Sequence, residues 1–227
     1  MPRIHIIIVA AGSGTRFGAP LPKQFCRLCG RPVLMHTVDA LRRACPEAEM
    51  TLVLSASGKK IWEGLCAEAG YESPAVTEGG ATRWESVKNA LATVTDAKVV
   101  LIHDGARPFP NADIIEPMLR KISAGVSGCV PVTAVTDSLR LIDDYGGSQP
   151  FDRSRLRAVQ TPQAFRADRL REAYRLPYDP LFTDDASVMQ AAGYGDIALT
   201  RGSTHNIKIT NPEDLAVAEA FLACGCV

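Results

Sequence analysis

Short apolar runs alternate with amphipathic stretches of helical length along most of the chain. Residues 4–10 form a nearly continuous, β-branched run, which predicts a central strand buried on both faces. Further strands are predicted at 50–54, 75–76, 99–102, 129–135, 197–200 and 206–210. Helices are predicted at 32–43, 59–69, 84–94, 111–122, 168–176, 184–192 and 212–222. This alternation predicts an α/β fold with a mainly parallel sheet and helices covering it.

The pattern changes between residues 136 and 159. Residues 138–142 and 155–159 both alternate apolar and polar positions, and residues 143–148 between them (DDYGGS) form a strong turn signal. These features predict a β-hairpin arm that leaves the globule. Because the apolar face of an isolated hairpin would be exposed, a partner subunit is its natural cover. We therefore expect one domain over residues 1–227, with 136–159 as an arm for homodimerisation.

Composition and charge narrow the class of protein. The 227 residues are 46% hydrophobic and 22% charged, as is usual for a globular domain with a sizeable core. The 25 basic and 25 acidic residues cancel, so bulk attraction to nucleic acid or anionic membranes is not expected. The longest apolar run, 6–11, is far shorter than the roughly 20 residues of a membrane helix. The first predicted strand lies close to Met1, which argues against a signal peptide and favours the cytoplasm.

Seven cysteines at irregular spacing make a poor disulfide framework. Cys26 and Cys29 form one close pair, and Cys224 and Cys226 form another. A closed zinc site usually needs two CxxC-like pairs, and the sequence has one. We therefore expect reduced cysteines that act as small apolar side chains, and zinc is the weaker alternative.

The end of the first predicted strand is glycine-rich. Gly12 and Gly14 lie one residue apart, so their backbone N–H groups can turn toward an anion. The spacing does not match the dinucleotide motif or the P-loop. Arg16 and Lys23 follow, and two such cations beside a glycine-rich loop favour a polyphosphate ligand. A tight strand-to-helix connection with ordinary salt bridges is the alternative.

A second cluster follows the strand predicted at 99–102. Asp104 could bind Mg²⁺ or a polyol hydroxyl at this strand end, or it could simply pair with Arg107. Lys208 lies in a predicted strand whose neighbouring isoleucines should face the other side, which directs Lys208 toward the same place. Arg153 lies on the predicted arm, where a solvated surface charge is the simpler interpretation. His103 is interpreted as structural.

Six motifs occur in a characteristic order: 10–16 (AAGSGTR), 22–25 (PKQF), 103–108 (HDGARP), 160–165 (QTPQAF), 183–187 (TDDAS) and 206–210 (NIKIT). The series resembles the 2-C-methyl-D-erythritol 4-phosphate cytidylyltransferases, from about residue 6 to residue 222. The resemblance implies a Rossmann-like nucleotidyltransferase that dimerises through a protruding β-arm. It also implies CTP and a polyol phosphate as substrates, with Mg²⁺ held mainly by the CTP phosphates.

The resemblance implies a role for each matching residue. Arg16 and Lys23 would contact the CTP phosphates and stabilise the transition state, while Arg153 and Lys208 would position the nucleophile. The nucleotide-binding positions would be Ala10, Ala11, Gly12, Ser13, Gly14 and Ser86. The positions at the polyol phosphate would be Asp104, Arg107, Ser138 and Thr161, some of them supplied by the partner's arm.

The chain departs from the family pattern at a few positions. Ser138 replaces a common Thr, Arg157 replaces a common aromatic residue, and Ala81 stands where some members have a carboxylate near the ribose. Two rival functions stay open. A ribitol 5-phosphate cytidylyltransferase would share the fold and the mechanism, whereas a CTP-sensing protein would bind CTP and release no pyrophosphate. A sensor would not need the full set of reaction-side cations, which favours an enzyme.

Overall fold

The computed structural model describes residues 3–12, residue 17 and residues 21–227. Within them the strands are β1 (Ile4–Val9), β2 (Arg27–Leu28), β3 (Arg31–Pro32), β4 (Glu49–Leu54), β5 (Ala75–Glu78), β6 (Val99–Asp104), β7 (Gly128–Ala134), β8 (Leu139–Ile142), β9 (Ser148–Phe151), β10 (Arg157–Val159), β11 (Gln163–Arg166) and β12 (Ile197–Arg201). The helices are α1 (Val33–Ala44), α2 (Ala56–Ala69), α3 (Arg83–Thr93), α4 (Ala112–Ser123), α5 (Ala167–Ala173), α6 (Asp185–Ala191) and α7 (Glu213–Ala223). Short 3₁₀ helices cover Lys23–Phe25 and Arg153–Arg155.

Eight of the described strands form one sheet. Strand β1 is central and pairs in parallel with β4 and β6, and β4 pairs in parallel with β5. On the other side of β1, β11 lies between β6 and β7 and pairs antiparallel with both. Strand β10 pairs antiparallel with the same edge of β7 as β11 does, and β12 pairs in parallel with the opposite edge of β7. The predicted mainly parallel, Rossmann-like sheet is confirmed. The strand at Gln163–Arg166 was missed by the sequence analysis.

Apolar residues of the central strand serve two cores. Ile6 and Ile8 pack with α1, α2 and α4 on one face of the sheet, where Trp62 is the largest fully buried side chain. Ile7 packs on the other face with α3, α5 and α6, against residues such as Val87 and Met189. A strand enclosed between two helical layers must be apolar on both faces, which explains the unbroken run in the sequence. The predicted helices on both faces are therefore confirmed.

The arm is present, but its return strand differs from the prediction. Strand β8 pairs with β9 at Ser148–Phe151, whereas residues 157–159 join the main sheet beside β7. The Asp143 carboxylate accepts hydrogen bonds from the backbone N–H groups of Tyr145 and Gly147, and this closes the turn before residue 148. The alternation at 155–159 therefore belongs to an antiparallel strand of the sheet. Dimerisation through the arm stays a prediction.

The strand predicted at 206–210 is wrong. This segment is irregular and forms no ladder with the described strands, and a hydrogen bond from Ile209 N–H to the carbonyl of Ala106 joins its backbone to the region after β6. Ile209 is fully buried while Lys208 is exposed, so the alternation in the sequence reflects burial of one side of an irregular segment. The predicted orientation of Lys208, opposite Ile209, is nevertheless correct.

One cysteine prediction also needs correction. Cys224 and Cys226 are joined by a disulfide, with their Cα atoms 5.5 Å apart, which is within the usual range. The chain reverses after α7 through Gly225, whose φ is +65°, and this brings the two residues together. The other cysteines (Cys26, Cys29, Cys45, Cys66 and Cys129) are free. In the part of the chain that the structure describes, no helix is both long enough and apolar enough to span a membrane.

Candidate active site

A cleft of about 490 Å³ opens at the carboxyl ends of β1 and β6. Its described walls come from the residues after β1, the 3₁₀ helix at Lys23, the first turn of α3, the end of β6 and the segment around Lys208. The predicted site residues that it brings together are Ala10, Ala11, Gly12, Lys23, Ser86, Asp104 and Lys208. Strand ends of an open α/β sheet are the usual place for a ligand.

Gln24 fixes the start of the glycine-rich segment. Its side-chain Nε2 donates to the carbonyls of Ala10 (2.7 Å) and Gly12 (3.1 Å). The side chain is buried, and the adjacent Lys23 lines the cleft. The segment that carries Lys23 is therefore joined through Gln24 to the backbone of the glycine-rich segment at Ala10 and Gly12. Sequence analysis missed this role, and its one signal was an amide side chain directly before Phe25 in a buried turn.

The loop before α3 forms another wall. The Ser86 hydroxyl donates to the carbonyl of Thr82 (2.9 Å) and accepts from the backbone N–H of Gly80 (3.1 Å). A Cβ at Gly79 would lie 2.5 Å from the Cβ of Ala11, so this loop and the glycine-rich segment pack closely. Ser86 thus lines the cleft and also shapes the loop around it, while its contact with the nucleotide stays a prediction.

Asp104 ends β6 and pairs with three cations. Lys208 Nζ lies 2.8 Å from Oδ2, Arg83 Nε lies 3.5 Å from Oδ1, and Arg107 Nε lies 3.6 Å from Oδ2. Burial by itself would raise the pKa of Asp104, but the three cations hold that pKa well below its usual range. The carboxylate is therefore ionised at neutral pH. The simpler interpretation of Asp104, an ion pair with Arg107, is correct but incomplete.

Arg83 connects Asp104 to a second, fully buried carboxylate. Its two terminal nitrogens donate to the oxygens of Asp185 at 3.0 and 2.7 Å, and Tyr174 donates its hydroxyl to Asp185 Oδ1 at 2.6 Å. Burial opposes the charge of Arg83, yet Asp185 and Asp104 together raise its pKa. Sequence analysis missed Arg83 because its partner lies 102 residues later in the chain.

A chain of hydrogen bonds supports Asp104 from beneath. The Asp104 N–H donates to Thr161 Oγ1 (3.0 Å), which donates to His103 Nδ1 (3.2 Å), and His103 Nε2 donates to the carbonyl of Arg107 (3.0 Å). Burial lowers the pKa of His103 to about 4, so the imidazole is neutral with its proton on Nε2. Arg107 also donates to the carbonyl of Asn206 (2.8 Å). Thr161 and Arg107 thus lie under the cleft and hold its acidic residue.

Other predicted residues lie elsewhere. Ser138 is exposed on the arm, and Arg153 donates to the carbonyl of Thr136 there. Neither is among the described residues that line the cleft of their own chain. Ser13, Gly14 and Arg16 lie outside the described residues. The roles of these five residues stay predictions.

The described cleft carries excess positive charge. Lys23, Arg83 and Lys208 line it, and Asp104 is the one carboxylate among the described lining residues. Because the cations already occupy Asp104, this part of the cleft offers Mg²⁺ no free carboxylate. Among the described residues no group of three or more His, Cys, Asp or Glu side chains is placed to hold a metal ion. The arrangement is suited to ligands that bring several negative charges.

Comparison with known proteins agrees with this geometry. The family profile described as IspD, 2-C-methyl-D-erythritol 4-phosphate cytidylyltransferase, matches residues 4–224. A protein of that name from Bacteroides fragilis is 42% identical over 222 residues, covering 95% of this chain and 98% of the relative. One from Porphyromonas gingivalis is 43% identical over 222 residues, covering 96% of this chain and 97% of the relative.

Solved structures show the same architecture. A 4-diphosphocytidyl-2C-methyl-D-erythritol synthase from Anaerococcus prevotii superposes with a TM-score of 0.82 at 27% identity, covering 98% of this chain and 96% of that one. The 2-C-methyl-D-erythritol 4-phosphate cytidylyltransferase from Thermus thermophilus gives 0.73 at 32% identity, covering 96% and 98%. The chain belongs to the 2-C-methyl-D-erythritol 4-phosphate cytidylyltransferase family.

Proposed function

We propose that the protein joins CTP to 2-C-methyl-D-erythritol 4-phosphate, forming 4-diphosphocytidyl-2-C-methyl-D-erythritol and releasing pyrophosphate. One observation carries this proposal: Lys23, beside the glycine-rich segment, and the Asp104–Lys208 pair line the same cleft. The family match over residues 4–224 supports the same activity.

The main obstacle in this reaction is the repulsion between two negatively charged substrates, and proton transfer is a lesser one. An oxygen of the acceptor phosphate attacks the α-phosphorus of CTP, and the bond from that phosphorus to the bridging oxygen of pyrophosphate breaks. The attacking phosphate is already ionised at neutral pH, so no general base is required. The barrier comes from bringing a dianion to a triphosphate, and fixed cations that neutralise the crowded phosphoryl group lower it.

The cations divide between the two substrates. Lys23 and Arg16 would hold the CTP phosphates, next to the backbone at Gly12 that Gln24 orders. Lys208 would hold the acceptor phosphate, together with Arg153 from the arm of a partner subunit. Asp104 would accept a hydrogen bond from a hydroxyl group of the polyol while keeping Lys208 in place.

Mg²⁺ would arrive with the nucleotide. When bound to the CTP phosphates it would offset their charge and make the α-phosphorus more electrophilic. The described cleft supports this assignment because its carboxylate is engaged by cations. The cation pair Lys23 and Arg16 would then neutralise the phosphate oxygens that the ion leaves uncovered.

A homodimer would complete the site through the arm. Ile142 and Tyr145 are 63% and 98% exposed on a chain by itself, which supports a partner covering this face. In such a dimer Ser138 and Arg153 would reach the partner's cleft. We expect the enzyme to work in the cytoplasm, because its phosphorylated substrates are too highly charged to cross a membrane unaided.

The test is pyrophosphate release from CTP and Mg²⁺ by the purified protein. Three reactions are compared: 2-C-methyl-D-erythritol 4-phosphate, ribitol 5-phosphate and no acceptor. Release with the first alone supports the proposal, whereas release with ribitol 5-phosphate instead would replace the acceptor. CTP binding without release in any reaction would favour the sensor. In the same assay Lys208→Ala should lower acceptor-dependent release, because Lys208 would hold the acceptor phosphate. Lys98→Ala, which removes an exposed charge just before β6 at the other end of the sheet, is its matched control.

A further inference from the structure

We propose that Arg83 is a positioning residue for the acceptor side of the cleft: it holds the Asp104 carboxylate, and through it the Lys208 ammonium group, where the acceptor phosphate binds. This inference rests on the proposed function. It assigns to the buried Arg83–Asp185 pair a role beyond stabilising the fold.

Arg83 is anchored from behind by a rigid support. Asp185 is fully buried and binds both terminal nitrogens of the guanidinium group, which fixes the plane of that group. Tyr174 contributes a further hydrogen bond to Asp185 Oδ1. The neighbouring Asp184 caps α6 at Ser187 N–H and accepts from Gln163. The carboxylate behind Arg83 therefore cannot shift without disturbing the start of α6.

The front of Arg83 meets the cleft. Its Nε lies 3.5 Å from Asp104 Oδ1, while Lys208 Nζ lies 2.8 Å from the other oxygen, Oδ2. Along this series the side-chain exposure is 0% for Asp185, 32% for Arg83, 12% for Asp104 and 42% for Lys208, so the chain begins at a fully buried carboxylate and ends at its most exposed member. Lys208 is thus the end of a charged chain that starts in the protein interior. Without Arg83, Oδ1 of Asp104 loses its cation, and the carboxylate is then held at Oδ2 alone, by Lys208 and Arg107.

A guanidinium group suits this task better than an ammonium group. Arg83 contacts two carboxylates at once, through its terminal nitrogens on one edge and Nε on another. A lysine at the same place has a single nitrogen, which cannot occupy the separate positions from which the Arg83 nitrogens reach Asp185 and Asp104. Arg83→Lys therefore retains the charge but not the bridge between Asp185 and Asp104.

The nucleotide side of the cleft depends on different contacts of the same helix turn. The Ser86 hydroxyl accepts a hydrogen bond from the Gly80 N–H and donates one to the carbonyl of Thr82. The Arg83 side chain takes no part in those bonds. Changing the Arg83 side chain should therefore weaken acceptor binding and leave CTP binding nearly unchanged.

The experiment measures steady-state kinetics of Arg83→Gln and Arg83→Lys with each substrate varied in turn. The expected result is a KM for the acceptor raised about tenfold, the scale of one charge-assisted hydrogen bond, with the KM for CTP within about twofold. Arg83→Gln leaves the buried Asp185 without its cation, so Arg83→Gln/Asp185→Asn, in which the pair is neutral, is measured beside it. Arg171→Gln is the matched control, because Arg171 donates to the carbonyls of Val94 and Thr95 beyond the other end of α3.

Coupling to Lys208 separates positioning from a merely structural role. If Arg83 acts through Lys208, Arg83→Gln should raise the acceptor KM little further in a Lys208→Gln background. Multiplicative effects in the double variant, or equal rises in both KM values, would overturn the inference. A wild type without acceptor-dependent pyrophosphate release would refute the proposed function instead. In that case a crystal structure of Arg83→Gln decides the inference: a rotated Asp104 carboxylate supports it, and an unmoved Asp104–Lys208 pair overturns it.

Discussion

Acidification should destabilise the protein through His103, the buried imidazole beneath the candidate active site. Burial lowers the pKa of His103 from 6.5 to about 4. Between these two values the unfolded chain binds a proton at His103 that the folded chain does not. The contribution of His103 to stability is therefore complete above pH 6.5 and is lost as the pH falls toward 4.

The size of the effect follows from the same interval. Each pH unit between the two pKa values changes the free energy of unfolding by about 1.4 kcal/mol. About 3 kcal/mol of stability is therefore lost between pH 6.5 and pH 4. That is a large share of the roughly 5–15 kcal/mol by which domains are usually stable. His5 and His36 also have a pKa lowered by burial, so the wild-type curve contains their titration as well. A variant is needed to isolate His103.

The assay is urea unfolding from pH 7 to pH 4.5 at one protein concentration, with wild type and His103→Asn compared. The asparagine amide does not titrate, and its oxygen can accept from Thr161 in place of Nδ1. We expect the variant to be less stable at pH 7 but to lose less stability on acidification. Thr161→Ser, which keeps the hydroxyl, should show the same dependence of the free energy of unfolding on pH as the wild type. Equal slopes for wild type and His103→Asn would refute this account of His103.

Three further predictions concern the cleft and the arm. Gln24→Glu replaces two hydrogen bonds worth about 1 kcal/mol each with repulsion from two carbonyls, so the Kd for CTP measured by calorimetry should rise at least tenfold. Lys23→Ala should lower kcat about 10²–10³-fold and change the KM for CTP less, and an unchanged kcat would contradict its assigned role. If the arm completes the partner's site, mixing the weakly active Arg153→Ala and Lys208→Ala proteins should restore activity, because each mixed dimer regains one intact site. No gain on mixing, once subunit exchange is demonstrated, would place Arg153 in its own subunit's site or outside any site.

The predictions that succeeded depend on periodicity and burial. A strand between two helical layers must be apolar on both faces, and residues 4–10 show this directly. The helices α1 and α4 likewise bury one apolar side each, and their predicted bounds differ from the observed ones by one residue at each end. Such elements are specified by their own residues, so the sequence suffices to find them.

The predictions that failed depend on which neighbour a segment meets. Residues 155–159 alternate as an arm strand would, but they pair with β7 because Asp143 closes the hairpin earlier. The true return strand, β9, contains Pro150 and lacks clear alternation. Residues 206–210 alternate because Ile209 is buried in a core cluster with Leu28 and Phe109, although none of the described strands pairs with them. Alternation reports a buried side and does not identify the partner strand.

The site was predictable where its chemistry lies at strand ends. Asp104 stood out at a strand end and Lys23 shortly after the glycine-rich end of the first strand, whereas Lys208 was directed to the same place by alternation within a predicted strand; the structure brings all three to one cleft. Gln24 and Arg83 were missed because their roles exist only through distant partners. Gln24 is defined by backbone carbonyls of another segment, and Arg83 by a carboxylate more than a hundred residues away.

The carboxylates explain how so many cations can share one cleft. Arg83, Arg107 and Lys208 all lie within 4 Å of Asp104, and their mutual repulsion would otherwise spread them apart. Asp104 and Asp185 offset two of these three charges, which leaves an excess that an incoming phosphate can use. An acidic residue in an anion-binding cleft is therefore no contradiction. It keeps the cations close together, and this arrangement exists before the substrate binds.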